Sequence, residues 1–256
     1  VIVIGCTLAP FKLSRNSDGA LRWLSNIENV IDSAKPVPVE LFAALEVDRR
    51  GLDPYADLLV RQEQLLARGI SLTIWTFSID DGEAIWRTGV RTRRVCAGRN
   101  LICDFALSKP GCSHVLFLDS DIVPDPDTIP KLRDLRWPIV GGDVPSYCLT
   151  GREVTARRYF HGIDYPAGRR WVQGVEQYGY PVAEHWNTAG FLLVERVVIE
   201  HVRWGWDETR GLFDDPWYAD QVERIIGTPT LVRKDCIGDH EPLAALEDRG
   251  EDVTIR

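Results

Sequence analysis

The chain has 256 residues, 45% of them hydrophobic and 27% charged, with 30 basic against 38 acidic side chains and a formal net charge of -8. That is an ordinary globular composition for one large domain or two small ones, and it excludes a disordered, collagen-like or coiled-coil chain. No apolar run approaches the ~18–20 residues of a membrane helix, and the acidic balance provides no global field for nucleic acid or an anionic membrane.

The first residues, VIVIGCT, are a continuous apolar run that suits a buried strand. They carry no basic flank and run into Pro10, which argues against a signal peptide. Leu21, Leu24, Ile27, Val30 and Ile31 recur at helical spacing within 16–32, and Pro36 and Pro38 end that helix. A second strand is expected over 39–47. Asp53-Pro54 has the cap and first-turn chemistry of a helix start, and Gly69 stops that helix. Residues 70–79, rich in β-branched and aromatic side chains, read as a third strand. A helix over 91–108 follows, and then the apolar strand HVLFL at 114–118. Asp125-Pro126 predicts another helix start, and 137–140 a strand that ends at Gly141-Gly142.

Strand and helix thus alternate through residue 142, which implies an α/β fold built on a mostly parallel sheet with helices on both faces. Such sheets bind ligands beyond the carboxyl ends of their strands. From 143 to 184 periodicity is weak and Gly, Pro and aromatics abound, with a turn expected at 165–168. A strand over 191–194, a short helix over 196–202 and a helix over 215–226 complete the elements. No linker or repeat divides the chain, so one domain, 1–256, is expected. The cysteines at 6, 96, 103, 112, 148 and 236 form no CxxC pair. They read as small buried residues in a reducing compartment, which makes structural zinc improbable.

The strongest chemical signal is Asp119-Ser120-Asp121, two acids directly after an all-apolar strand. Carboxylates at that edge suit Mg²⁺ or Mn²⁺, hard cations that bridge to substrate phosphates; the other reading is a capped polar turn. The stretch RNLICDFAL at 99–107, then VLFLDSDIVPDPDTIPKL, then PIVGGDV, resembles the glycosyltransferases of the GT-A fold, family 2-like members included. The resemblance covers about residues 1–142 well and the rest loosely.

The resemblance implies a nucleotide-sugar-binding half, 1–142, and a smaller mixed acceptor and catalytic half, 143–256. It implies a nucleoside diphosphate sugar donor, UDP- or GDP-linked, and Mn²⁺ or Mg²⁺ held by Asp121, by Asp119 and by a late histidine, His240. Asp119 also serves as a ribose- or sugar-side contact, with Ser120 beside it. Arg99 is expected near the pyrophosphate or the DxD loop; the alternative is a surface arginine in a basic run with Arg87, Arg91, Arg93 and Arg94. Thr7 and Asp80, at ends of the first and third strands, are expected at the base or ribose. Asp143 is expected at the donor or acceptor sugar, and Ala189-Gly190 beneath the donor sugar, where small residues permit close backbone approach.

Asp214 and Asp215 precede a helix, as the acidic pair of inverting family members does. One of them would take the proton of the acceptor hydroxyl. The family pair is usually Glu-Asp, and an acid before Pro216 also serves as a helix cap. His240 is expected in a Gly/Pro-flanked loop, where an exposed loop histidine is the competing reading. Trp171, Trp186, Trp204, Trp206 and Trp217 are either sugar-stacking or core residues.

The expected activity is metal-dependent transfer of a sugar, most naturally a hexose, to a hydroxyl acceptor. A sugar nucleotidyltransferase is the second reading, weakened because the loop after the first strand has one glycine and no arginine. A non-catalytic nucleotide or sugar binding module is the third. A nucleic acid acceptor is allowed by the basic run but not favoured, and the lack of a membrane anchor in the sequence leads to the expectation of a cytoplasmic enzyme.

Overall fold

The computed structural model describes residues 1–8, 19–47, 56–79, 88–120, 122–144, 146–150, 153–157, 175–177, 180–184, 190–212, 214–240 and 254–255. The first four strands are β1 (Ile2–Leu8), β2 (Val39–Glu46), β3 (Ser71–Phe77) and β4 (His114–Leu118). They lie side by side in the order β3-β2-β1-β4, all parallel. Parallel neighbours require crossovers, which are supplied by α1 (Gly19–Ser33), α2 (Ala56–Ala67) and α3 (Thr88–Ser108).

Strand alternation sorts the core into two layers. Ile2, Ile4, Cys6 and Leu8 of β1 pack with Trp23, Leu24, Ile27 and Val30 of α1. Val3 of β1 and Phe42 of β2 face the other way, onto Ile102, Cys103, Phe105 and Ala106 of α3. Strand β1 is buried along its whole length, whereas β3 is the sheet edge and is half open.

The rest of the chain extends the same sheet with mixed polarity. Its strands are β5 (Ile122–Pro124), β6 (Ile139–Asp143), β7 (Ser146–Thr150), β8 (Glu153–Arg157), β9 (Val175–Gln177) and β10 (Tyr180–Glu184). Then come β11 (Phe191–Glu195), β12 (Leu231–His240) and β13 (Thr254–Ile255). Strand β11 inserts antiparallel between β4 and β6, and β12 runs parallel to β6 and antiparallel to β10. Strands from both sides of residue 142 therefore share one sheet, while β7, β8 and β13 form a small sheet of their own. The helices are α4 (Thr128–Asp134), α5 (Arg196–His201) and α6 (Asp214–Ile226).

Three expectations are corrected. The helix after the DxD starts at Thr128, not at Asp125. Residues 122–124 are drawn into a strand on β12, and Asp125 instead accepts the Thr128 hydroxyl on its carbonyl at 2.6 Å. Strand β6 begins at Ile139, not Trp137, whose indole N–H donates to the Pro229 carbonyl at 2.8 Å. Residues 237–240, expected as loop, are the end of β12. The strands β7 to β10 fall where periodicity was weak. The expected turn at 165–168 and the Asp53-Pro54 cap lie outside the described residues.

Cys6, Cys96, Cys103, Cys112 and Cys236 are buried free thiols. Among the described residues no helix is long and apolar enough to cross a membrane.

Candidate functional site

Strand register assembles one end of the sheet. Ile2 is level with His114 and Gly5 with Phe117, so Thr7, one residue before the end of β1, is level with Asp119 after β4. Phe191 pairs with Leu118, and the Asp119 N–H donates to the Gly190 carbonyl at 2.8 Å. Leu192 pairs with Gly141, which sets Gly190 beside the Asp143 end of β6. Asp119, Gly190 and Asp143 therefore line the carboxyl edge of β4 and β6. A side chain at Gly190 would put its Cβ 3.1 Å from Asp119 Oδ2, so the Asp119 carboxylate would have to give by a few tenths of an ångström to admit one.

Thr7 is nine-tenths buried and packs against Gly98 of α3, where any Cβ would lie 2.3 Å from Thr7 Cγ2. This close approach brings α3 down onto β1 and presents the next residue, Arg99, to the edge. The Arg99 side chain is only 4% exposed. Its Nη1 donates to Asp214 Oδ2 at 3.1 Å and to Asp215 Oδ1 at 2.9 Å, and its Nη2 lies 3.5 Å from Asp119 Oδ1. Carboxylates nearly a hundred positions apart in the chain thus meet on one guanidinium.

Asp214 and Asp215 open α6, where acids in the first turn complement the helix dipole and Pro216 suits the start. Neighbouring contacts fix this junction. The Asn100 amide donates to the Trp204 carbonyl and accepts the Trp204 N–H, both at 3.0 Å. Trp204 stacks on Tyr218 of α6 at 3.8 Å, and Arg99 lies over the Trp204 ring at 4.6 Å. Trp204 is therefore a core residue, whereas Trp206 is partly exposed beside Arg93; Trp171 and Trp186 lie outside the described residues.

The cluster sets its own electrostatics. Burial alone would lower the Arg99 pKa, but Asp119, Asp215 and Asp214 outweigh it and hold the guanidinium above its ordinary value. Burial, with Asp214 alongside, pushes the Asp215 carboxyl up to about 7 against the pull of Arg99. A carboxyl so placed holds or releases a proton near neutral pH, the range in which a general base works.

The other end of the site is set by backbone pairing. Gly238, Asp239 and His240 of β12 pair with Pro124, Val123 and Ile122 of β5. His240 is thus opposite the residue that follows Asp121 in the chain. Asp125 holds this pairing: its N–H donates to the Ile237 carbonyl at 3.0 Å, and its Oδ2 accepts the Ile237 N–H and Lys131 Nζ, each at 3.1 Å. Asp119 offers a carboxylate 31% exposed, a hard oxygen donor of the kind Mg²⁺ and Mn²⁺ accept.

Not every expected residue enters this geometry. Asp80, Asp121 and Ala189 lie outside the described residues, and the His240 side chain does too. Ser120 is buried, at 6% exposure. Arg99 is not a surface arginine. Arg94 likewise points inward to Glu46, at 3.1 Å, and Arg93 lies 3.9 Å from Glu208, so much of the basic run meets carboxylates. Sequence reading missed the positioning roles of Asn100 and Asp125; the only local signal for the former was its place beside Arg99.

No family model matches the chain, and no curated protein matches it. Among solved structures the chain is similar to a protein provisionally described as a nucleotide-diphospho-sugar transferase from Desulfovibrio desulfuricans G20. The identity is 12%, over 93% of this chain and 81% of that one, with a TM-score of 0.40. It is similar to the galactosyltransferase LgtC in complex with donor and acceptor sugar analogues, at 12% identity and a TM-score of 0.39. That likeness covers 88% of this chain but 65% of LgtC. A third similar chain, from Entamoeba histolytica, is provisionally described as a UDP-N-acetylglucosamine pyrophosphorylase, with 11% identity, 78% and 59% coverage and a TM-score of 0.33.

Proposed function

We propose that the protein is a metal-dependent glycosyltransferase that moves a sugar from a UDP- or GDP-linked donor to a hydroxyl acceptor. One observation carries the reading: buried Arg99 gathers Asp119 from the DxD and the Asp214-Asp215 pair from the start of α6 at the carboxyl edge of the sheet. An acid pair placed there only to cap a helix would not need a shared buried cation that also reaches the DxD.

In this reading Asp119, Asp121 and His240 would hold Mn²⁺ or Mg²⁺, which would supply positive charge against the departing diphosphate. Ser120, Asp143 and the small residues Ala189 and Gly190 border the donor, with Thr7 and Asp80 at the nucleoside end. Asp215, its carboxyl raised toward 7, accepts the proton of the acceptor hydroxyl. The acceptor oxygen bonds to the anomeric carbon, the bond from that carbon to the diphosphate oxygen breaks, and the nucleoside diphosphate departs. Arg99 positions both carboxylate sets and keeps Asp214 and Asp119 from repelling Asp215 out of place.

The test is release of nucleoside diphosphate from a panel of UDP- and GDP-sugars, with and without Mn²⁺. The expected result is metal-dependent turnover of donors sharing one base, reduced at least about 100-fold by Asp215→Asn. Turnover that ignores both the metal and Asp215 would remove the reading. Bound nucleotide without turnover across varied hydroxyl acceptors would favour a binding module.

A further inference from the structure

A cavity of about 450 Å³ opens at the opposite end of the sheet, with Lys35, His114, Arg133, Asp134, Arg136 and Glu195 in its wall. His114 starts β4 and Glu195 ends the antiparallel β11, and the two are paired across the strands. The cavity is thus a full strand length from Asp119, and none of its residues belongs to the carboxylate cluster. Its volume is that of a small-molecule site.

The wall is charged in a particular way. Lys35 is paired with Asp32 at 2.8 Å. Arg133, Arg136, Asp134 and Glu195 make no side-chain hydrogen bond or ion pair among the described residues. Two guanidiniums and two carboxylates therefore share one concave surface without neutralising each other. Arg136 also sits at φ 47°, just after the end of α4, a left-handed position that glycine or asparagine fills without steric penalty. An arginine thus occupies a backbone position that disfavours it. In the same wall, burial first, then Arg133 and the N-terminal amine, push the His114 pKa down to about 4, so the imidazole stands in a positive local environment. His114 Nδ1 is 2.9 Å from the Ser113 hydroxyl.

We propose that this cavity is a second ligand site and binds a phosphorylated sugar. The phosphate lies against Arg133 and Arg136, whose planar donor forks match its oxygens. The sugar hydroxyls donate to the carboxylates of Asp134 and Glu195. Those acids would repel a bare anion but are satisfied by a ligand that pairs one phosphate with several hydroxyls.

The experiment is calorimetric titration of the full chain with glucose 6-phosphate, inorganic phosphate and glucose, with NMR titration of His114. Expected are saturable binding of glucose 6-phosphate, at least tenfold weaker binding of phosphate and none of glucose, and a His114 pKa that rises on binding. Arg136→Gly, which suits the φ of that position and should leave the melting temperature unchanged or raised, weakens binding at least tenfold, as does Arg133→Gln. Asp119→Asn leaves it unchanged. No saturable binding overturns the proposal, as does equal affinity for phosphate and the sugar phosphate. Binding that survives both arginine variants but falls in Asp119→Asn overturns it too, by placing the ligand at the carboxylate edge.

Discussion

Replacing Arg99 by methionine keeps an apolar stem of similar length and removes the cation shared by three carboxylates. Breaking one side of a buried pair costs about 3–5 kcal/mol because the surviving charge is left uncompensated. Here Arg99 is 4% exposed, while Asp119, Asp214 and Asp215 keep 31%, 25% and 21% exposure, so water compensates part of that loss. The expected destabilisation is about 2–3 kcal/mol, or roughly 5–10 °C in melting temperature for a chain of this size.

The sign with pH is also fixed. Without Arg99 the Asp215 carboxyl loses the pull that opposes its burial, so the folded variant holds that proton at pH values where the unfolded chain has released it. Stability of the variant therefore falls as pH rises. The deficit against the wild type is small near pH 5 and widens by pH 8. Urea unfolding at both pH values measures it, and adding Asp214→Asn and Asp215→Asn should restore more than half of the loss. A deficit at pH 8 below about 0.5 kcal/mol, within the range of an ordinary surface substitution, or a deficit equal at both pH values, would refute the hub.

Further outcomes follow from the same geometry. The Asp215 carboxyl, raised to about 7 from 3.8, binds a proton in the folded protein that the unfolded chain has lost, so its contribution favours folding below pH 4 and is lost as pH rises to about 7; Asp215→Asn should flatten that part of a melting-temperature profile. If Asp215 is the base, turnover climbs with pH through a limb near 7, read from initial rates between pH 5 and 9. Gly98→Ala forces a Cβ to 2.3 Å from Thr7 Cγ2 and should cost about 1–3 kcal/mol in urea unfolding, with Thr7→Ala in the same chain recovering part of it. Asn100→Ala strands the Trp204 N–H and carbonyl and should cost about 2–3 kcal/mol, with turnover lowered because the start of α6 is no longer held to α3.

The parallel half of the fold was legible because its strands are buried on both faces and read as unbroken apolar runs, as in β1 and β4. The DxD edge followed from β4 alone. The mixed half was less legible for physical reasons. Strand β12 carries Arg233, Lys234 and Asp235 in its middle, and the apolar pattern breaks there. The buried Arg233 forks onto Asp235 and donates to the Lys131 carbonyl, partners that the linear pattern does not show. Residues 122–124 are too short to show a period, and they become a strand because β12 lies beside them.

At the site, the acid pair, the DxD and Arg99 were each visible as motifs. Their union was not, since it depends on α3 seating against β1 at Gly98 and on Asn100 clamping Trp204, contacts 91 and 104 residues apart. The sequence also could not say that Arg99 meets carboxylates rather than solvent, because burial of an arginine depends on partners that only the fold supplies.

The proposed transfer stands on metal-dependent nucleotide binding at the Asp119 edge. It is tested most directly by calorimetric titration of UDP and GDP into the protein with and without Mn²⁺, and into Asp121→Ala. The expected result is that one of the two nucleotides binds with the metal and not without it, and that Asp121→Ala abolishes the binding. Absence of binding under every condition, or equal affinity without metal and in the variant, would contradict it.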